Sequence, residues 1–230
     1  MVIGNGMIAK RFAPYQLNDA FVIFASGVSN SKNIDDYAYQ REKELLQSVI
    51  QENADKTLVY FSTCSIYDPD EQTSKYVLHK KDLEALIQKN CNQFHIFRVS
   101  NLVGISGNPN TVLNFFIQHI QHKINFDLWC NATRNLLDID DMYRIADHIL
   151  QNRLYLCKVI NIANPVTYSV KEIIAAIESQ WNIKANYIPI EKGSHFTIDI
   201  TTVIPIIREL GIRFEKDYLT ILLQKYYSQQ

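Results

Sequence analysis

Residues 57–80 have the sequence TLVYFSTCSIYDPDEQTSKYVLHK, and this stretch decides which fold the chain can adopt. Its first part is β-branched, aromatic and aliphatic, which predicts a buried strand that ends at Thr63. A turn with several hydroxyl side chains follows as far as Ser74, and apolar residues then recur at the spacing of a helix. The stretch therefore predicts a strand, a turn and a helix in direct succession.

Two residues of the predicted helix have a chemical use. Tyr76 and Lys80 lie four residues apart, so both side chains leave the same face of the helix, one turn apart. A free tyrosine titrates near pH ~10, and a neighbouring ammonium group favours its phenolate form. Thr63 would add a hydrogen bond to the reacting oxygen while Tyr76 passes the proton. The Tyr-x-x-x-Lys spacing also arises by chance, but its position after the strand makes Thr63, Tyr76 and Lys80 candidate catalytic residues.

Residues 1–12, MVIGNGMIAKRF, predict a short strand, a glycine turn and the start of a helix. The pattern is G-x-G-x-x-A: its first glycine permits the tight turn, and its second lets the backbone approach a pyrophosphate at the helix N-terminus. A purely structural strand-turn-helix could contain the same glycines. The candidate cofactor-binding residues of this turn are Gly4, Asn5, Gly6, Met7 and Ile8.

The next predicted strand, residues 20–25, comes too early for a complete dinucleotide-binding fold. Such a fold has an acidic residue near the end of its second strand, which holds the adenosine ribose. Here the strand ends in Ala25, Ser26 and Gly27, a turn of small residues without an Asp or Glu. Without the acidic residue, the sequence does not distinguish NAD from NADP.

These motifs resemble the extended short-chain dehydrogenase/reductase family, specifically its nucleotide-sugar epimerases, dehydratases and 4-keto reductases. Members carry a Ser-Thr strand end, a Val/Ile-Tyr pair and then Tyr-x-x-x-Lys. The segment between the Thr and the Tyr is shorter here than is usual in the family. The residues that fit the family pattern are Ser62, Thr63, Ile66, Tyr67, Tyr76 and Lys80, and the resemblance adds Ser62 to the cofactor-binding set, together with Tyr76 and Lys80.

The resemblance implies an α/β fold, a Rossmann-like doubly wound parallel sheet with a small C-terminal substrate lobe. The strand at residues 20–25 matches the family's fourth strand, so we expect the usual second and third strands to be missing or merged. In the family the turn after the fourth strand passes beside the cofactor, which implies that Ala25, Ser26 and Gly27 bind it. The chain should form a single compact unit. Its dinucleotide-binding core would comprise about 1–105 plus 134–165, and its substrate lobe about 106–133 and 166–230.

The same resemblance suggests substrate-binding residues. Asn101 belongs to an Arg-x-x-Asn-x-x-Gly run in which the family's Asn lies near the substrate diphosphate, although Asn is also a common turn former at a strand end. Arg134 matches an Arg that pairs with a nucleotide phosphate, a task suited to a guanidinium, and a surface ion pair is the alternative. Thr63, Cys64 and Ser65 complete the predicted substrate-binding set.

The activity implied is that of an NAD(P)-dependent enzyme acting on a nucleotide-sugar substrate. Family dehydratases place Asp-Glu directly after the Thr, whereas Cys64 and Ser65 have no carboxylate to remove a proton. This leaves reduction of a 4-keto-6-deoxy sugar, with Tyr76 protonating the new hydroxyl, or 4-epimerisation through a transient ketone. A non-catalytic dinucleotide-binding scaffold or sensor is the third interpretation, and the shortened segment before Tyr76 is its main support.

Composition narrows the remaining partners. The 230 residues carry a formal net charge of −1 without a basic run, so no nucleic-acid partner is expected. The four cysteines lack paired close spacing, which indicates reduced thiols and a cytoplasmic location rather than a metal site or disulfide framework. Neither a signal peptide nor a membrane span is predicted. A homodimer through the helices of about 36–54 and 76–89 is compatible with the family, although their mixed outer faces do not decide it.

Overall fold

The computed structural model describes residues 1–28 and 30–228, which form a mixed α/β chain. In chain order the strands are β1 (Val2–Ile3), β2 (Phe21–Phe24), β3 (Thr57–Thr63), β4 (Phe94–Val99), β5 (Asn101–Val103), β6 (Phe126–Trp129), β7 (Thr133–Arg134), β8 (Leu136–Asp138), β9 (Lys158–Ile162), β10 (Tyr168–Ser169) and β11 (Tyr187–Ile190). The helices are α1 (Met7–Arg11), α2 (Asp36–Glu52), α3 (Lys75–Asn90), α4 (Val112–Gln121), α5 (Ile139–Gln151), α6 (Val170–Trp181), α7 (Ile204–Glu209) and α8 (Tyr218–Tyr227).

The central sheet is parallel and has the strand order β1-β2-β3-β4-β9. Every residue of β3 is buried, which explains why its sequence is a continuous apolar run rather than an alternating one. Helices α2 and α3 cover one face of the sheet, and α1 and α5 cover the other. The predicted Rossmann-like parallel sheet is confirmed.

The first half of the sheet is trimmed as predicted. β1 lies at the edge and pairs only with β2, so no strand stands on its other side among the described residues. The backbone N–H of Val2, which points to this free edge, donates a hydrogen bond to Oε1 of Gln16 at 3.3 Å. The sheet therefore ends at a two-residue strand, and the N–H of that strand's free side is hydrogen-bonded within the same chain.

A second apolar cluster lies beside the sheet and combines α4, α6 and α8 with β6. Leu128, Ile173 and Leu222 are fully buried in it. The segment from Ile200 to Ile212, by contrast, packs against the sheet face covered by α5. The exact limits of the substrate lobe stay a prediction. Within residues 1–28 and 30–228, no helix combines the length and apolar character needed to cross a membrane.

Candidate active site

Thr63 ends β3 and stands at the carboxyl edge of the parallel sheet, where ligands of such sheets bind. Its Oγ1 accepts a hydrogen bond from the backbone N–H of Ser65 and donates one to Ser65 Oγ, both at 3.0 Å. These contacts cap a single 3-10 turn, Cys64–Tyr67, that leads away from the strand. The strand and the turn thus hold the Thr63 hydroxyl in one place, paired with Ser65 rather than with Tyr76.

Tyr76 and Lys80 lie one turn apart near the start of α3, as predicted. Ser74 caps the helix by accepting a hydrogen bond from the N–H of Val77 at 3.2 Å. The ammonium of Lys80 lies 5.8 Å from the ring centre of the half-buried Tyr76. The structure therefore brings the tyrosine and the lysine together.

Lys80 has a partner that sequence reasoning missed. It is buried, and its Nζ donates to Oε1 of Glu42 at 2.8 Å and to the hydroxyl of Tyr60 at 3.0 Å. Burial opposes the charge of Lys80, but Tyr60 and Glu42 outweigh it and raise the pKa of the ammonium. Burial likewise acts to raise the pKa of Glu42, whereas hydrogen bonds from His79 and Lys80 lower it to about 2. The pair is therefore ionised.

The two predicted cofactor turns pack against each other. Gly4 has a φ of 125°, and a Cβ there would lie only 2.4 Å from the carbonyl oxygen of Ala25 and 3.0 Å from the N of Ser26. Gly6, in contrast, is exposed and has no atom within 4 Å of the position of a Cβ, so space is open above it. A small-residue cradle with open space on one side fits the pyrophosphate of a dinucleotide.

Gly27 connects the second turn to the buried pair. A Cβ at Gly27 would lie 2.8 Å from Oε1 of Glu42 and 3.0 Å from Nζ of Lys80. Of the other residues predicted to bind the cofactor, Met7 contacts the position that a Cβ of Gly104 would take, Ile8 is half-buried, and Asn5 is exposed.

Ser62 points away from this edge of the sheet. Its hydroxyl donates to Oε1 of Glu84, which also pairs with Arg98. The guanidinium of Arg98 in turn donates to the hydroxyl of Tyr67 at 2.9 Å. The hydroxyl of Ser62, a residue predicted to bind the cofactor, is therefore part of a hydrogen-bond network that joins α3 to the end of β4.

The residues that follow Thr63 lack a base. Cys64 is buried, its thiol donates to the carbonyl oxygen of Arg98 at 3.2 Å, and burial raises its pKa to about 12. Ser65 is paired with Thr63. Neither side chain can act as the carboxylate that a dehydratase uses.

Asn101 lies on β5 and Arg134 lies on β7, which belong to two separate two-stranded sheets. Asn101 donates to the backbone carbonyl of Asn135 at 3.0 Å, which is a structural contact. Arg134 donates to the carbonyl of Thr133 at 2.8 Å, and its Nη1 lies 3.8 Å from the buried carboxylate of Asp68. Because Asp68 directly follows the Cys64–Tyr67 turn, Arg134 faces the same loop as Thr63. No group of three His, Cys, Asp or Glu in the described chain is arranged to hold a metal ion.

The model of the NAD dependent epimerase/dehydratase family matches residues 15–163, more than half of the chain. The chain belongs to this family. The match starts after the glycine turn, where this epimerase/dehydratase family member passes directly to β2. No curated protein matches it.

Solved structures of similar fold accompany this assignment. The dTDP-4-dehydrorhamnose reductase of Bacillus anthracis str. Ames in complex with NADP is 17% identical, covers 94% of this chain and 84% of its own, and has a TM-score of 0.69. RMD from Pseudomonas aeruginosa complexed with NADPH is 15% identical over 92% and 81%, with a TM-score of 0.67. The ADP-L-glycero-D-manno-heptose-6-epimerase of Helicobacter pylori is 14% identical over 91% and 72%, with a TM-score of 0.69. At these identities the similarity shows the fold of this family member.

Proposed function

We propose that this family member is an NAD(P)-dependent reductase of a nucleotide-activated 4-keto-6-deoxy sugar. The cofactor, NAD or NADP, would supply the hydride in its reduced form, NADH or NADPH, and would leave oxidised. Gly4 and Gly6 would hold its pyrophosphate, and Ala25, Ser26 and Gly27 would line its nicotinamide end. Tyr76 would give its proton to the sugar oxygen, and Thr63 would donate a hydrogen bond to that oxygen. The ammonium of Lys80 would stabilise the phenolate that Tyr76 becomes.

The observation that carries the proposal against dehydration is the chemistry at residues 64 and 65. Dehydration needs a base to remove a proton from the sugar, and both a buried thiol and a paired hydroxyl are unsuited to it. Reduction needs only one proton donor next to the hydride, which Tyr76 can be. The family's reductases and epimerases therefore remain.

The trimmed sheet favours the reductase over the epimerase. A reductase releases oxidised dinucleotide after each turnover, whereas an epimerase keeps its cofactor bound. Among the described residues β1 stands at the edge of the sheet, so no second or third family strand of that part of the chain covers the adenosine half. The similarity to the B. anthracis structure, whose name gives a 4-dehydro sugar reductase, is consistent with this choice.

Arg134 and Asn101 are proposed to bind the nucleotide diphosphate. The 3.8 Å separation between Arg134 and Asp68 is long for a hydrogen-bonded ion pair, so most donors of the guanidinium are free for a phosphate. Asn101 would donate the second N–H of its side-chain amide to a phosphate oxygen, or would release the carbonyl of Asn135 and donate both.

The test is to mix the protein with NADPH or NADH and a dTDP-4-keto-6-deoxyhexose and to follow absorbance at 340 nm. We expect one dinucleotide to be oxidised per sugar reduced. Tyr76→Phe should lose most of the turnover and keep its affinity for the dinucleotide, because only the hydroxyl is removed. Sugar interconversion without net oxidation of the dinucleotide would instead establish an epimerase.

A non-catalytic dinucleotide-binding protein is the second candidate, and the Glu42–Lys80 pair favours it. An ammonium that is already paired with a carboxylate stabilises a neighbouring phenolate less than an unpaired ammonium does. Tight NADPH binding together with no turnover of any 4-keto sugar, in wild-type protein and Tyr76→Phe alike, would support this alternative.

A further inference from the structure

Glu42 is a carboxylate buried under the candidate active site, with only 3% of its surface exposed. Charged side chains are almost never buried to this degree unless they are paired. Its Oε1 accepts hydrogen bonds from Lys80 Nζ at 2.8 Å and from the Tyr60 hydroxyl at 3.3 Å. Its Oε2 accepts from the backbone N–H of Val28 at 2.9 Å and lies 3.2 Å from Nε2 of His79.

These four contacts come from three separate parts of the site. Lys80 and His79 lie on α3, Tyr60 lies on β3, and Val28 follows the turn at the end of β2. The turn crosses directly over the pair, since a Cβ at Gly27 would come within 3.0 Å of both Glu42 Oε1 and Lys80 Nζ. One carboxylate therefore sets the distance between the turn and the lysine.

We propose that Glu42 is a positioning residue for the reaction, which holds Lys80 and the turn of residues 25–28 in the arrangement that receives the nicotinamide end of the dinucleotide. The inference rests on the proposed function, because it concerns the same site. Two of the three N–H donors of Lys80 are directed to Glu42 and Tyr60, which fixes the direction of the third. Glu42 acts through Lys80 and the turn and need not touch the sugar.

A glutamine cannot replace Glu42, although it has the same length. Both carboxylate oxygens face donors: an ammonium on one side and a backbone N–H on the other. Whichever way a glutamine amide is turned, its NH2 group meets one of these donors, so either Lys80 or the turn must move. An aspartate keeps the charge but is one methylene shorter, so it can reach only one of the two donors.

The experiment measures the Kd for NADPH and the thermal unfolding of Glu42→Gln, Glu42→Asp and a control. Glu44→Gln is the matched control, because Glu44 lies on the same helix, is exposed and accepts a hydrogen bond from Gln40 across one helical turn. We expect the Kd to rise by roughly tenfold or more in Glu42→Gln, by a smaller factor in Glu42→Asp, and not at all in the control. In turnover with a 4-keto sugar, kcat should fall in the variants whose Kd for NADPH rises, while KM for the sugar is unchanged.

Glu42→Gln leaves Lys80 buried without a counter-ion and can fail to fold, so Glu42→Asp then carries the test. Folded Glu42 variants with a wild-type Kd for NADPH and a wild-type kcat, but a lower unfolding temperature, would show that Glu42 only stabilises the fold, and the inference would be wrong. Wild-type protein that binds neither NADPH nor NADH would overturn the proposed function and this inference with it.

Discussion

Two glycines of the first turn differ in what surrounds them, although only one residue separates them. Gly4 has a positive φ and touches the backbone at Ala25, whereas Gly6 has an ordinary φ of −74° and open space around it. The constraint on Gly4 comes from the fold itself. A requirement for glycine at position 6 can therefore come only from a ligand that approaches its backbone.

Alanine substitutions should separate the two roles. Gly4→Ala should lower the free energy of unfolding by about 2 kcal/mol or more, since the backbone is strained and the methyl overlaps a carbonyl. Gly6→Ala should change it by less than about 1 kcal/mol but weaken NADPH binding by roughly tenfold. Urea unfolding and fluorescence titration measure these effects. Normal affinity in Gly6→Ala would contradict a pyrophosphate site at this turn.

His95 makes stability depend on pH. It is buried in β4, its Nδ1 has no hydrogen-bond partner among residues 1–28 and 30–228, and burial lowers its pKa to about 4. In the unfolded chain a histidine titrates near ~6.5, so between these two values the unfolded state binds the extra proton. Folding stability should therefore fall by about 2–3 kcal/mol as the pH is lowered from ~6.5 to ~4.

Urea unfolding at several pH values checks this expectation. His95→Leu should remove most of the loss over that window, because a leucine does not bind a proton. His122→Leu, at an exposed histidine on the end of α4, should keep it. Equal pH slopes in wild type and His95→Leu would show that other groups cause the acid sensitivity.

At the scale of elements, α8 neutralises the acidic start of α5. Asp138 caps α5, and Asp140 lies in its first turn, where the helix dipole favours negative charge. Lys225 of α8 donates to Asp138 at 2.8 Å and to Asp140 at 2.7 Å, and the Tyr226 hydroxyl donates to Asp138 at 2.6 Å. The last helix is therefore attached to the sheet domain by charge as well as by apolar packing.

Removing this cation should loosen α8. Lys225→Met should lower the free energy of unfolding by about 1 kcal/mol, a modest value because the lysine is partly exposed. Lys216→Met, at an exposed lysine just before α8, is the control and should have little effect. Chemical unfolding measures both, and high salt should reduce the difference between them. A Lys225→Met protein as stable as wild type would mean that the apolar face alone holds the helix.

Most elements near the site could be predicted from the sequence, because buried parallel strands leave continuous apolar runs and helix caps leave Ser or Asp signals. Ser74, Asp138 and the Ser169–Glu172 capping box all occupy such positions. Glu42 could not be predicted, since it stands in a run of charged residues on α2 and its burial depends on how α3 docks. For the same reason the pairing of Ser62 with Glu84 was not foreseeable.

At the scale of the whole molecule, the missing strands remove the part of the fold that distinguishes NAD from NADP. In a complete dinucleotide fold, the end of the second strand contacts the 2′ position of the adenosine ribose. In the part of the chain that the structure describes, β1 has no neighbouring strand on that side, and Arg11, at the end of α1, is paired with Asp140 at 2.6 Å. The site should therefore recognise the half that both dinucleotides share.

We expect the Kd values for NADH and NADPH to agree within about threefold, less than 1 kcal/mol of discrimination. Isothermal titration calorimetry with both reduced dinucleotides measures this ratio directly. Reduced nicotinamide mononucleotide, which lacks the adenosine half, is the matched probe. Its affinity should be reduced relative to NADH by a smaller factor than in a protein with a complete dinucleotide-binding fold. A preference above roughly thirtyfold for either dinucleotide would reveal an adenosine contact supplied by some other part of the chain.

The shortened sheet also bears on self-association. A sheet that ends early usually presents a template on which another chain can add a strand and begin to aggregate. Within residues 1–28 and 30–228, β1 is two residues long, and the N–H of Val2 on its free side is already bound by Gln16. We therefore expect this edge to be a poor template for an added strand, with the Gln16 side chain standing where the first hydrogen bond of a new strand would form.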